Sequence, residues 1–242
     1  QDMWRLSGIF RNVTLWSAPQ VHVRDFLIRT DLDPQYRDAT LDVVLKVRNY
    51  ADRPSSAALA TLELFDGRGR PVPGVQAQAQ VPALSPGQEQ SVTLTARVPN
   101  PAKWTAETPN LYTTVLALTT GAKTTEILST RTGFRRVEVR GPLFTINGVP
   151  VKLKGANRHE HWPDTGHAVS EARMIRDLEV LKQCNCNHVR TCHYSDDPRW
   201  YELCDEYGIY LVAEANVESH GYGYGRDSLS NPPSWEAAHV DR

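Results

Sequence analysis

Residues 188–213, HVRTCHYSDDPRWYELCDEYGIYLVA, contain the pattern that decides the fold. Residues 188–192 and 209–213 have strand length, and the second segment is apolar throughout, as expected for a strand covered on both faces. Between them, the Asp-Pro pair at 197–198 is typical of a helix start and Gly208 of a helix end. Two strands joined through a helix by short loops run parallel. The stretch therefore predicts an α/β sheet or barrel.

The same alternation of strand and helix begins earlier in the chain. Residues 151–155 are strand-like, and Ser170 is a candidate N-cap for a helix with an apolar stripe. The stripe consists of Met174, Ile175, Leu178 and Leu181. Residues 139–242 are fewer than half of the roughly 250 that a closed (β/α)8 barrel takes. We therefore expect the first three βα units of a TIM barrel that continues beyond Arg242, although a small open α/β domain also fits.

From about residue 20 to residue 138 the apolar residues recur at every second position instead. The clearest segments are residues 40–48, 58–65, 91–98 and 111–118, separated by turn clusters rich in Asp, Pro and Gly. About seven short strands without a helix predict an antiparallel β-sandwich of the immunoglobulin type. We place this domain at residues 19–138, between residues 1–18 and an α/β part at 139–242.

The composition argues against several classes of partner. The chain has 242 residues with 27 Lys and Arg against 28 Asp and Glu, and this formal net charge of −1 offers no basic surface for nucleic acid. No apolar run approaches the roughly 18 residues of a transmembrane helix, and no secretory signal opens the sequence. The four cysteines lack the C-x-x-C spacing of a structural zinc site. We expect reduced thiols, a cytoplasmic location, and neither a nucleic-acid nor a membrane partner.

A cluster of polar residues follows each of the three predicted parallel strands. The clusters are residues 157–161 (NRHEH), 190–194 (RTCHY) and 214–221 (EANVESHG). The carboxyl ends of parallel strands meet at one edge of the sheet, where α/β enzymes carry their active sites. We therefore expect these side chains to converge on one site.

Each candidate residue also has a plainer explanation. His159 is a candidate binding residue because the clusters converge, whereas a structural role fits His161 equally well. His193 precedes a helix start, so it could serve in capping or packing. Arg190 lies within a strand, where an unpaired cation is costly, and this favours a functional or ion-paired role. Glu214 is a candidate partner for that cation.

Two reaction classes use such a set of side chains. Sugar hydrolysis needs a pair of carboxylates, together with histidines or arginines that bind the sugar hydroxyls. Metal-dependent hydrolysis of amides or esters would instead use His159 and His161 with Glu218 and His220, the last two being close enough to ligate one metal. This second class needs further ligands that the sequence does not offer. A carbohydrate-binding module that rests on the sandwich is an alternative of a different class.

The three clusters resemble the strand ends of the large bacterial β-galactosidases of glycoside hydrolase family 2. The matching segments are residues 155–161 (GANRHEH), 189–194 (VRTCHY) and 213–221 (AEANVESHG). Residues 2–11 resemble the end of that family's jelly-roll sugar-binding domain, and residues 104–112 and 133–137 resemble the end of its immunoglobulin-like domain. The resemblance implies the jelly-roll end at 1–18, the immunoglobulin-like domain at 19–138 and the start of the TIM barrel at 139–242.

The resemblance also implies roles for individual residues in binding the substrate. Asp2 matches an aspartate that contacts the galactose hydroxyls and a sodium ion, Na+. His159 and His193 match histidines that contact the galactosyl group and stabilise the transition state. Asn157 and Arg190 occupy matching strand-end positions that shape the pocket.

The resemblance also implies which residues bind the metal and where the catalytic carboxylates lie. Glu218 and His220 match ligands of a magnesium ion, Mg2+. The family's acid/base and nucleophile glutamates follow later barrel strands, so we expect both beyond Arg242 and no catalytic carboxylate in this chain. Glu160 and Glu214 match other family positions and are no substitutes.

The parent protein implied by this resemblance is a retaining β-galactosidase that acts on terminal β-D-galactosyl residues of lactose-like substrates. It would be a homotetramer, and the present chain by itself would be inactive. A β-glucuronidase or β-mannosidase of the same family is the alternative. The His-Glu-His sequence at residues 159–161 favours a β-galactosidase, since β-glucuronidases tend to have His-Glu-Asp.

Overall fold

The computed structural model of the chain describes residue 6 and residues 8–218, 220–223, 225–226 and 228–242. The chain divides into two units. One unit is Leu15–Val151, and the other joins the described residues up to Thr14 to Lys152–Arg242. Each unit has a hydrophobic core of its own.

Among the described residues of the first unit, seven long strands form two antiparallel sheets, ordered β1-β2-β5 and β4-β3-β6-β7. They are β1 (Val21–Leu32), β2 (Ala39–Asn49), β3 (Ala58–Phe65), β4 (Pro71–Val81), β5 (Glu89–Val98), β6 (Tyr112–Thr120) and β7 (Lys123–Thr132). Both sheets contribute side chains to one core, which confirms the predicted β-sandwich.

Strand β2 shows why the period-two pattern folds in this way. Leu41, Val43, Leu45 and Val47 are each at most 1% exposed, while the residues between them are half-buried. Successive side chains of a strand point to opposite faces, so the alternation gives β2 one continuous apolar face. That face belongs to the sandwich core.

A buried amide ends strand β2. Asn49 is fully buried, and its Nδ2 donates to the carbonyl oxygens of Arg53 and Leu84, each at 2.9 Å. Its Oδ1 accepts a hydrogen bond from the Ala51 N–H at 2.9 Å. A single side chain therefore satisfies backbone groups of two connecting segments that would otherwise be buried without partners.

A small antiparallel sheet that the sequence analysis missed follows the sandwich. Its strands are β8 (Val137–Arg140), β9 (Leu143–Ile146) and β10 (Val149–Pro150), in the order β10-β9-β8. Asn147 and Gly148 connect β9 to β10 with φ of 52° and 78°. Two successive positive φ values at Asn-Gly are the mark of a type I′ hairpin turn. This dipeptide was the signal in the sequence that could have found the hairpin.

The second unit contains three parallel strands with a helix between each pair, which confirms the predicted start of a βα barrel. Its elements are β11 (Gly155–Arg158), α1 (Glu171–Gln183), β12 (His188–Thr191), α2 (Pro198–Tyr207), β13 (Tyr210–Val212) and α3 (Glu236–Asp241). The helices α1 and α2 pack on one face of the sheet through Met174, Leu178, Trp200 and Leu203, with Val189 of β12 beneath them. None of the helices in the described part of the chain is long and apolar enough to cross a membrane.

The first barrel strand lies later than predicted. Residues 151–154 form no strand. Asn187 instead bonds to the backbone of Lys152 and Lys154, and its Oδ1 accepts from the Lys154 N–H at 2.8 Å. Strand β11 begins at Gly155, where an added Cβ would lie 1.9 Å from the His188 carbonyl oxygen. Only glycine allows the two backbones to approach so closely. As a result Asn157 lies inside the strand and not after it.

The helix ends follow the predicted signals with one difference. Asp197 caps α2 by accepting a hydrogen bond from the Arg199 N–H at 2.9 Å, and Gly208 ends it with φ of 71°. Ser170 occupies the N-cap position of α1 but makes no side-chain capping bond.

Candidate functional site

The strand register decides which side chains share a face. Asn157 of β11 lies beside Arg190 of β12, and Arg190 lies beside Val212 of β13. Their neighbours Val189 and Thr191 are buried. Asn157 and Arg190 therefore lie together on the face opposite the helices, which is the inner face in a βα barrel.

The two predicted binding histidines come together at the ends of β11 and β12. The ring centroids of His159 and His193 are 5.4 Å apart, with the rings nearly perpendicular at 86°. Tyr194 joins them, since its hydroxyl lies 3.4 Å from His159 Nδ1. Burial and the nearby Asp196 carboxylate raise the pKa of Tyr194 to about 12, so its hydroxyl keeps its proton at neutral pH.

Arg190 and Glu214 form an ion pair between the ends of β12 and β13. The Glu214 backbone N–H also donates to Thr191 Oγ1 at 3.0 Å, and Ser195 Oγ donates to the Glu214 carbonyl oxygen at 3.2 Å. Arg190, a cation that the sequence predicts within a strand, is thus paired with its candidate partner Glu214.

The predicted magnesium ligands Glu218 and His220 contact each other. The Glu218 Oε1 atom accepts from the His220 N–H at 2.7 Å and lies 3.9 Å from His220 Nδ1. In the part of the chain that the structure describes, no three His, Cys, Asp or Glu side chains are grouped as a metal site would need. The proposed sodium ligand Asp2 lies outside the described residues.

A buried guanidinium that the sequence analysis overlooked lies next to His159. Arg158 is 8% exposed, and its Nη1 and Nε donate to Asp196 and Asp177 at 2.6 and 2.9 Å. Its guanidinium carbon lies 3.9 Å from the ring centroid of Trp200. The alternation of strand β11 could have revealed it, because a charged residue on the face opposite Asn157 and His159 needs a buried partner.

Glu160 on the other side of His159 is also buried, at 2% exposure. Its Oε1 accepts from the Asp197 N–H at 2.9 Å, and its Oε2 accepts from Arg11 Nη2 at 2.7 Å. The same Arg11 nitrogen donates to the Ser195 carbonyl oxygen at 2.7 Å. Glu160 is therefore fully engaged within the protein.

A cavity of about 410 Å³ opens at these strand ends. Its lining includes Phe10, Arg11, Glu160, His167, Tyr194, Ser195 and Asn216. Tyr194 links the cavity to the histidines, since it contacts His159 on one side and the ring of His167 at 5.5 Å on the other. Aromatic rings beside hydrogen-bonding groups suit a small polar ligand with an apolar face.

The charge of Asp196 makes stability depend on pH. Burial raises the pKa of this carboxyl to about 6 from its ordinary value of 3.8, although Arg158 favours the charged form. The folded protein thus holds the proton more tightly than the unfolded chain, so stability falls as pH rises from about 4 to about 6 and is level above that range. A shift of this size corresponds to at most about 3 kcal/mol.

We expect Asp196→Asn to remove this dependence. Urea unfolding at pH 4 and at pH 7.5 gives the unfolding free energies of the variant and the original chain. Between pH 4 and pH 7.5, the variant should gain about 2–3 kcal/mol of stability relative to the original chain. A difference that stays constant over this range would contradict the assignment.

Comparison with known proteins places the two units in one family. A sequence model described as "Glycosyl hydrolases family 2, TIM barrel domain" matches residues 137–242, and one described as "Glycosyl hydrolases family 2" matches residues 21–135. The chain belongs to glycosyl hydrolases family 2. The match to the TIM barrel domain agrees with the three parallel βα units of the second unit.

Named relatives support this membership. The chain is 41% identical to a β-galactosidase of Priestia megaterium and 43% identical to one of Pseudoalteromonas haloplanktis, with all of this chain and 24% and 23% of those proteins covered. It therefore spans about a quarter of the length of these family 2 relatives. The crystal structure of Bacteroides uniformis β-glucuronidase matches at a TM-score of 0.75 and 25% identity over 88% of this chain and 27% of that one. A putative β-galactosidase from Bacteroides fragilis matches at a TM-score of 0.73 and 25% identity, over 85% and 30%.

Proposed function

We propose that this family 2 chain is part of a retaining β-galactosidase that releases terminal β-D-galactosyl residues. The relatives named β-galactosidase support this activity, since each matches the whole of the present chain. The observation that carries the proposal is the convergence of His159 and His193, with ring centroids 5.4 Å apart, at adjacent strand ends. Active sites of βα barrels occupy this end of the strands.

In this proposal the imidazoles of His159 and His193 bind galactosyl hydroxyls. Hydrogen bonds to a sugar that strengthen as the oxocarbenium-like transition state forms would lower the barrier. Asn157 and Arg190 shape the inner wall of the same pocket, and the ion pair with Glu214 holds the Arg190 guanidinium in place.

The proposal assigns no catalytic carboxylate to the described residues. A retaining glycosidase needs two carboxyl groups about 5–5.5 Å apart and free to act on the sugar. Glu160 is committed to the Asp197 N–H and Arg11, and Glu214 to Arg190. These contacts support an acid/base and a nucleophile elsewhere in the parent protein, and we expect the present chain alone to hydrolyse no galactoside.

We also propose that Glu218 and His220 contribute to a Mg2+ site and that Asp2 contributes to a Na+ site. One carboxylate and one imidazole are an incomplete set, so further ligands or waters must complete the magnesium site. Bound there, the cation would supply positive charge beside the sugar pocket. The homotetramer and the cytoplasmic location also stay proposals, the latter supported by four free cysteines.

The activity is tested with the full-length protein that carries this chain, assayed on chromogenic β-galactoside, β-glucuronide and β-mannoside. We expect the galactoside to be preferred and His193→Phe to lower kcat on it by about 100-fold or more, because one positioned hydrogen-bonding group is lost. His22→Phe in the sandwich is the control and should change kcat less than about twofold. Preference for the glucuronide or mannoside would favour the alternative activities, and galactose binding without any hydrolysis would favour a binding module.

A further inference from the structure

His159 lies between two buried charged residues that point away from it. Arg158 and Glu160 are 8% and 2% exposed, whereas His159 is half-buried beside His193. Arg158 is the last residue of strand β11, and the chain bends at Glu160, where the His161 N–H donates to the His159 carbonyl oxygen at 2.9 Å. The imidazole is thus flanked on both sides by fixed neighbours.

Both neighbours are bound to the same short segment, residues 195–197. Arg158 donates to the Asp196 carboxylate at 2.6 Å, and Glu160 accepts from the Asp197 N–H at 2.9 Å. Glu160 also reaches Ser195 through Arg11, whose Nη2 donates to both the Glu160 carboxylate and the Ser195 carbonyl oxygen at 2.7 Å. This segment begins two residues after His193, so both anchors hold the backbone that follows the second imidazole.

A backbone contact completes the connection. The Cys192 N–H, directly before His193, donates to the Arg158 carbonyl oxygen at 3.1 Å. We propose that Arg158 and Glu160 are positioning residues that set the separation and orientation of His159 and His193 by tying both sides of His159 to residues 195–197. The proposal rests on the proposed function for its consequence in catalysis, but its geometric content does not.

The chemistry of the two anchors fits positioning better than stability alone. A buried ion pair often adds little net stability over well-packed apolar residues, because desolvation offsets the attraction. Arg158 instead fixes direction, since its planar guanidinium meets Asp196 and Asp177 at two edges while its face stacks on Trp200. A displacement of about 1 Å at a reacting group can cost about 100-fold in rate.

The decisive variant is Glu160→Gln, which keeps an acceptor for the Asp197 N–H but removes the charge that holds Arg11. Glu171→Gln is the matched control, because it breaks the ion pair to Arg199 at 2.8 Å between α1 and α2 without touching residues 195–197. Arg158→Lys is the second variant, as lysine keeps the charge but cannot meet both aspartates and stack on Trp200.

The geometric claim is measured on the 242-residue chain by NMR of 15N-labelled histidine side chains. We expect Glu160→Gln to shift the imidazole signals of both His159 and His193 and to leave the His22 signal unchanged. The control variant Glu171→Gln should leave all three imidazole signals unchanged. Unshifted His159 and His193 signals in a folded Glu160→Gln chain would overturn the proposal. Because this readout needs no activity, it stands even if the parent protein hydrolyses no galactoside.

The catalytic consequence is measured in the full-length protein. We expect Glu160→Gln and Arg158→Lys to lower kcat on a β-galactoside at least tenfold with KM changed less than about threefold, and Glu171→Gln to leave both unchanged. Loss of kcat that merely follows loss of folded protein, with unaltered histidine signals, would indicate a structural role only and contradict positioning.

Discussion

Replacing Trp200 by alanine is expected to destabilise the second unit by about 3–5 kcal/mol, the usual cost of emptying a buried tryptophan site. Trp200 is fully buried among Met174, Leu178 and Leu203, and its ring supports the Arg158 guanidinium from 3.9 Å. The variant loses the apolar burial and the cation–π contact together. Hydrogen exchange of the amides of α2 measures this loss within the second unit.

Trp235→Ala is the control for this prediction. Trp235 is 43% exposed just ahead of helix α3, so its removal should change the same exchange free energies by less than about 0.5 kcal/mol. Equal effects of the two substitutions would show that Trp200 does not organise the core of this unit.

In the first unit, Asn49→Asp is expected to cost about 3–5 kcal/mol at pH 7 despite its nearly unchanged shape. The carboxylate cannot donate to the carbonyl oxygens of Arg53 and Leu84, which the amide now reaches at 2.9 Å. The variant also carries a charge into a site that is fully buried. The loss of unfolding free energy is measured by urea unfolding, together with hydrogen exchange of the β2 amides.

The pH dependence and a control separate the causes of that loss. A buried carboxyl without a cation has a raised pKa in the folded state, so the deficit of the Asn49→Asp variant should shrink as pH falls from 7 to 4. Asn110→Asp changes an exposed amide that donates to the Lys103 carbonyl oxygen at 3.0 Å, and it should cost less than about 1 kcal/mol. A deficit at position 49 that is independent of pH would assign the cost to the lost donors alone.

Much of the fold could be predicted because one periodicity dominates each unit. Apolar residues at every second position of β2 and β3 can be buried together only on one face of a strand. Helix α2 begins at the Asp-Pro pair and ends at Gly208, as the chemistry of these residues predicts. The first barrel strand was misplaced because Val151 and Leu153 alternate like a strand. The close approach of Gly155 to His188 decides where the strand begins, and that approach is a property of the pairing.

The candidate site was predicted in part for a similar reason. The position of His159 and His193 after parallel strands is enough to bring them to one edge of a sheet, whichever residues surround them. The ion pairs of Arg158 and Glu160 were not predicted because their partners, Asp196 and Arg11, lie 38 and 149 residues away along the chain. No local pattern links residues so far apart.

For this protein the sequence by itself determined the two kinds of unit, the parallel βα order and the edge that collects the polar side chains. These follow from local periodicity and capping chemistry, which neighbouring residues carry without reference to the rest of the chain. The tertiary structure alone decided which charges are paired, the pKa of Asp196 and the anchoring on both sides of His159. Those properties depend on burial and on distances of a few ångströms between remote residues, and only the folded chain sets them.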